Sequence, residues 1–176
     1  MSAGGLQERI LASLRDVPDF PEPGVTFKDI TPVLADAQLF AQVVRAHAQP
    51  WLDQVDLVAG LEARGFIFGA AVAIQLGVGF VPIRKGGKLP GVTVGLDYDL
   101  EYGSARIEVH EDAVLRGARV LVVDDVLATG GTARAACALL ETCGAVVPAI
   151  EVLAEIVALD GRRALACRAV RSLVTV

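Results

Sequence analysis

The sequence predicts an α/β fold, a mostly parallel sheet with helices on both faces. Three observations carry that expectation. Apolar runs of strand length alternate with helical patterns from residue 57 onward, and strand–helix–strand repeats close by right-handed crossovers into parallel sheets. The 176 residues are 53% hydrophobic but only 5% aromatic, so Val, Leu, Ile and Ala build the core, as buried parallel strands require. The Gly-rich and charged motifs follow strands, at the carboxyl ends where open parallel sheets bind ligands.

In chain order, Leu6, Ile10, Leu11 and Leu14 mark an amphipathic helix over 6–15. Pro18, Pro21, Pro23 and Gly24 then predict an irregular segment over 16–32. Asp36 is placed to cap a helix running to about Trp51. Leu57–Leu61 is a short apolar strand, and Glu62-Ala63-Arg64-Gly65 turns into a helix that stops near Gly77. Val78–Ile83 reads as a second buried strand, and Arg84–Gly91 as a basic, Gly-rich loop. Val92–Leu96 and Arg106–Val109 alternate like a hairpin whose tip, 97–104, is acidic and carries two tyrosines. Arg119–Val123 is a third strand, Ala133–Cys143 a helix stopped by Gly144, Ala145–Leu153 a fourth strand, and Ala169–Val176 an edge strand. His47 reads as a helix-surface residue and His110 as a strand-end residue.

Several function classes are excluded. The net charge of −5 leaves no dominant basic face, so no nucleic-acid partner is expected. The uncharged run from Gly65 to Ile83 reaches membrane-spanning length, but Gln75, Gly77, Gly79 and Pro82 interrupt it, and no membrane association is expected. No basic-then-apolar leader opens the sequence. Cys137, Cys143 and Cys167 form an odd set without CxxC spacing, which argues against a disulfide framework or a zinc site and suits a cytoplasmic location. One domain over 1–176 is expected, with no protein metal site.

The run Val120-Leu-Val-Val-Asp-Asp-Val-Leu-Ala-Thr-Gly-Gly-Thr132 carries the chemistry. A buried strand delivers Asp124 and Asp125 to the sheet rim, and Gly130 and Gly131 then open a helix. Glycines let backbone N–H groups approach an anion, and the helix start adds partial positive charge. Thr129 and Thr132 add hydroxyl donors, so Ala128–Thr132 suits a phosphate monoester. The two carboxylates repel a phosphate but suit sugar hydroxyls or a hard cation. Together they describe a ribose 5-phosphate. No Lys follows Gly131 as a P-loop needs, and no GxGxxG is present. Arg64 opens a helix after a strand, where it can meet an anion bidentately, although a lone Arg there reads equally as solvated. Arg84, Lys85 and Lys88 gather three cations in five residues of an acidic chain. They suit either pyrophosphate or plain solvation.

These residues resemble the type I phosphoribosyltransferases, over nearly the whole chain. Pro18-Asp-Phe-Pro, Phe27-Lys-Asp-Ile-Thr-Pro32, Glu62-Ala-Arg-Gly-Phe-Ile-Phe-Gly69, Arg84-Lys-Gly-Gly-Lys-Leu-Pro90 and Leu100-Glu-Tyr-Gly103 narrow the resemblance to the adenine-using branch. The resemblance implies that family's parallel-sheet fold with flanking helices and a β-hairpin lid at 97–104. It implies transfer of phosphoribosyl from phosphoribosyl pyrophosphate to adenine, giving AMP and pyrophosphate, a purine salvage step. By it, Ala128–Thr132 (with Thr129, Gly130 and Gly131) hold the 5-phosphate, and Asp124 and Asp125 the ribose hydroxyls. Ala63 and Arg64 line the pyrophosphate, with Arg84, Lys85 and Lys88. The 1–32 segment holds the base through Phe27 and the backbone beside Lys28, where many relatives carry Arg. Glu101 is the general base, with Tyr102 beside it in the lid. Mg²⁺ comes with the pyrophosphate substrate, and a homodimer is implied. Two other functions stay open: a ligand-sensing regulator on the same fold, and a transferase for a 6-oxopurine.

Overall fold

Val120 and Val122 of one strand enter one hydrophobic cluster, while Leu121 and Val123 enter another on the opposite face. That alternation, with every one of the four side chains buried, is the signature of a central strand covered on both faces. The computed structural model describes residues 5–20, 22–99, 103–166 and 168–176. Among them, Leu57–Leu61 (β3), Gly79–Lys85 (β4), Val120–Leu127 (β7), Ala149–Glu155 (β8) and Ala169–Thr175 (β9) form the parallel part of a seven-stranded sheet. Its order is β5-β6-β4-β3-β7-β8-β9, where Thr93–Asp99 (β5) and Ser104–His110 (β6) form an antiparallel hairpin on the β4 edge. Gly131–Thr142 (α5) packs in one cluster with the hairpin. Leu6–Ser13 (α1), Ala37–Ala48 (α3) and Gly65–Leu76 (α4) close the other face. The expected α/β sheet with flanking helices is the architecture found.

The Pro-rich segment departs from expectation. Arg15–Pro18 (β1) and Thr26–Asp29 (β2) pair antiparallel as a separate two-stranded ribbon, and Thr31–Ala35 (α2) is helical. Pro18 sits at a strand end and Pro32 in the first helical turn, positions where a missing N–H costs nothing. Asp29 anchors the ribbon. The Thr31 amide and the Arg15 guanidinium hold its carboxyl down to about 2.

Three strands run further than their apolar residues suggest. β7 continues through Asp124-Asp125 because β8 keeps pairing beside it, Asp124 with Val152 and Leu127 with Glu155. β4 includes Arg84 and Lys85, which pair with Glu108 and Ile107 of the hairpin. The hairpin pairs through Asp97, Tyr98 and Asp99, so its strands reach into the expected 97–104 loop, of which 100–102 lie outside the described residues. β8 begins at Ala149, later than the expected Ala145, with Val146 making only an isolated bridge to Arg119.

His47 is not on the surface; it is fully buried. It continues the Leu39–Val43 stripe of α3, one turn on, and meets Glu151 in the middle of β8, with Nδ1 2.9 Å from Oε2. Trp51 Nε1 and Arg171 donate to the other oxygen at 2.7 and 2.6 Å. Glu151 thus ties α3, the turn after it and β9 to the sheet. Cys137 is also buried, which pushes its thiol up to about 11, and Cys143 is half-buried. No helix among the described residues is long and apolar enough to cross a membrane.

Removing Glu151 leaves buried donors without their acceptor. Glu151→Ala should lower unfolding free energy by about 3 kcal/mol, read from urea denaturation. A loss below about 1 kcal/mol would show the cluster to be dispensable.

Candidate active site

The carboxyl ends of β3, β7 and β8 and the β1–β2 ribbon surround a cavity of about 860 Å³. Phe27, Lys28, Ala63, Arg64, Asp124, Asp125 and the whole Ala128–Thr132 turn line it. Eleven of the residues expected from sequence therefore converge, from three separate stretches of chain.

The phosphate turn follows β7 directly. Gly130 takes φ +81°, a left-handed conformation that glycine tolerates, and with Gly131 it lines the cavity. α5 begins at Gly131, so its first N–H groups have no intrahelical acceptor and are free for an anion. Across the cavity, the Glu62–Ala63 peptide is cis, and Arg64 caps α4. Gly65 lets this turn lie against β7: a Cβ there would stand 2.8 Å from Asp124 Oδ1 and 2.9 Å from Val123 O.

The acids are crowded. Burial, then the charge of Asp125, push the Asp124 carboxyl well above the usual carboxylate range, although the Asp125 amide donates to its Oδ1 at 2.8 Å. Arg64 Nε lies 2.8 Å from Asp125 Oδ2, close enough for an ion pair, yet the angle leaves that buried oxygen without a hydrogen bond. The same guanidinium sits 4.6 Å above the Phe27 ring, whose edge meets Phe20 at 5.1 Å between centroids. Arg64 thus joins the aromatic ribbon to the acid pair.

The basic stretch is arranged differently from its sequence reading. Arg84 spends its guanidinium on Glu62, at 3.1 and 3.2 Å, and on the Lys88 carbonyl at 3.0 Å. The Lys85 amide also donates to Glu62, whose carboxyl these two partners hold low, Arg84 first. Lys85 lines a second cavity of about 570 Å³ beside the hairpin, and Lys88 lines neither. Lys28 pairs with Asp16 across the ribbon at 2.7 Å, so its charge is already matched. Glu101 and Tyr102 lie outside the described residues.

Sequence reasoning missed Glu62, Val25, Thr26, Ile156, Ala158 and Leu159, all of which line the cavity. Ile156–Leu159 follows β8, so the carboxyl-end rule that located the other motifs points to it as well. Its apolar residues look like core until Val157 and Leu159 are seen exposed, at 59% and 45%.

Residues 33–163 match the phosphoribosyl transferase domain family. An adenine phosphoribosyltransferase of Nocardioides sp. is 56% identical, across 99% of this chain and 96% of that protein. The chain belongs to the adenine phosphoribosyltransferase family. A family member from Thermoanaerobacter pseudethanolicus has a crystal structure that superposes with a TM-score of 0.94, at 49% identity over 98% of this chain and 100% of that one. The Saccharomyces cerevisiae member, solved with adenine and an imino-altritol bisphosphate, superposes at 0.91 with 37% identity over 96% and 98% of the two chains.

Because Asp124 holds its proton more tightly in the folded chain than its ordinary value of 3.8 allows, this group's contribution to folding stability is lost as pH rises above that value. Asp124→Asn removes the titrating group. From about pH 4 upward its urea midpoint should fall less, or rise more, with pH than the wild type's. Parallel profiles would contradict the crowding of the acids.

Proposed function

We propose that this chain transfers the 5-phosphoribosyl group of phosphoribosyl pyrophosphate to adenine, giving AMP and pyrophosphate. The single observation that carries the reading is the convergence, in one cavity, of a phosphate turn, a carboxylate pair and an aromatic ribbon. Family membership supports it, as does adenine bound to the yeast member. Cavities of this size suit a nucleotide-sized ligand.

The Ala128–Thr132 amides and hydroxyls hold the 5-phosphate, and Asp124 and Asp125 take the ribose hydroxyls. The acid pair, with a buried Asp125 oxygen that lacks a hydrogen bond, fits a hard cation at the sugar, so these two residues would face Mg²⁺ brought with the substrate. When bound, Mg²⁺ neutralises charge on the departing pyrophosphate. Ala63 and Arg64 line the pyrophosphate, and Arg64 exchanges Asp125 for it. Lys85 and Lys88 add positive charge on the same side, while Arg84 holds their loop through Glu62. The base lies between the Val25–Phe27 ribbon and the Ile156–Leu159 turn, where backbone N–H and C=O groups beside Phe27 and Lys28 read its edge. Glu101, next to Tyr102 in the sequence between β5 and β6, accepts the imidazole-ring proton as the ring nitrogen attacks the anomeric carbon.

The active unit is a homodimer. α4 carries no charged residue and leaves Ile67 and Ile74 exposed at 43% and 82%, seven residues apart on one stripe. Light scattering should give twice the 18.4 kDa chain mass, and Ile74→Glu should shift it towards one. A wild-type monomer would refute the dimer.

Adenine should be used with kcat/KM at least ~100-fold above hypoxanthine or guanine, because a mispaired edge leaves buried polar groups unsatisfied. Steady-state assays with each base decide this, and comparable efficiency would favour a 6-oxopurine enzyme. No turnover with any base, despite ligand binding, would favour a sensing protein. Glu101→Gln should lower single-turnover rates by ~10²–10⁴-fold with little change in affinity. Near-normal rates would remove Glu101 from the role.

A further inference from the structure

Tyr98 stands on β5, one residue before the end of that strand, and points at the phosphate turn. Its Oη lies 3.3 Å from Thr132 Oγ1, a hydrogen bond between residues 34 positions apart. The ring is half-buried against the cluster that α5 shares with the hairpin. Thr132 lines both cavities, the 860 Å³ site and the 570 Å³ space beside the hairpin, so this hydroxyl pair sits in the wall between them.

Either oxygen can donate while the site is empty. A bound phosphate removes that freedom. A hydroxyl carries one proton and accepts two hydrogen bonds, whereas the oxygens of a phosphate dianion, the form above about pH 6, only accept. Thr132 must then give its single proton to the phosphate, and Tyr98 must donate to Thr132. We infer that Tyr98 is a positioning residue: its O–H fixes the Thr132 proton on the 5-phosphate and ties the lid hairpin to the occupied phosphate turn. The inference rests on the phosphate-site reading above. The chain from Tyr98 through Thr132 to the phosphate runs in one direction, so each donor polarises the next. The tyrosine touches neither the phosphate nor the reacting atoms, and it acts only through Thr132.

Calorimetric titration with ribose 5-phosphate tests this without turnover. Tyr98→Phe keeps the ring and its packing and should weaken binding by about 3- to 10-fold, the worth of one hydrogen bond to a polarised donor. In a Thr132→Val background the same change should alter binding by less than about 2-fold, because the intermediary is gone. In a Thr132→Ser background, which keeps the hydroxyl, the full cost should return. A purely structural role for the tyrosine would give equal costs in all three backgrounds and overturn the inference, as would Tyr98→Phe binding like the wild type. Thr132→Ala, which also lacks the hydroxyl, takes the place of the valine arm should that variant fold poorly, and the change should again alter binding by less than about 2-fold there. A wild-type protein that does not bind ribose 5-phosphate would instead overturn the phosphate-site reading, and the inference with it.

Discussion

Asp124 stands beside Asp125 towards the carboxyl end of the central strand, where burial and the neighbouring Asp125 charge both oppose ionisation of Asp124. The rest of the site follows from that constraint. A buried acid pair needs a counter-charge, and Arg64 provides one to Asp125 from the helix start across the cavity. The counter-charge needs the turn to come close, and Gly65 allows it. The guanidinium in turn lies over Phe27 and so draws the N-terminal ribbon onto the sheet. A sugar diol with its cation relieves the crowding of the acids, and an anionic leaving group takes Arg64 away from them. The empty site is therefore poised to bind both parts of one substrate together.

The phosphate turn works by a different economy. It has no Lys or Arg of its own, and relies on N–H groups at the start of α5 together with the hydroxyls of Thr129 and Thr132. Neighbouring acids would weaken an anion held by diffuse charge alone, whereas directed donors tolerate them. That difference explains how a carboxylate pair and a phosphate site occupy one strand–turn–helix unit.

Much of this was legible in the sequence, for physical reasons. β7 and its turn combine an all-apolar strand, two acids and paired glycines in one short run, and each part has a strong local signal. The parallel sheet was legible from the alternation of strands and helices. What was not legible depends on partners distant in sequence. His47 sits on the buried stripe of α3, but only Glu151, 104 residues away, makes a core histidine there favourable. The ribbon at Arg15–Pro18 and Thr26–Asp29 was hidden by prolines that sit where strands tolerate them. Arg84 looked like a free cation because Glu62, which holds it, belongs to another strand's turn. The ends of β4 and β7 were placed too early because charge was read as the end of a strand, while neighbouring strands keep such residues paired.

The central claim is that one strand–turn–helix unit holds the diol and the phosphate of the same ribose 5-phosphate. A crystal structure with AMP tests it most directly. The account predicts the phosphate within hydrogen-bonding distance of backbone amides at 129–132, the ribose hydroxyls on Asp124 and Asp125, and the base against Phe27. A phosphate seated on Arg64 instead, with the ribose turned away from both acids, would contradict it.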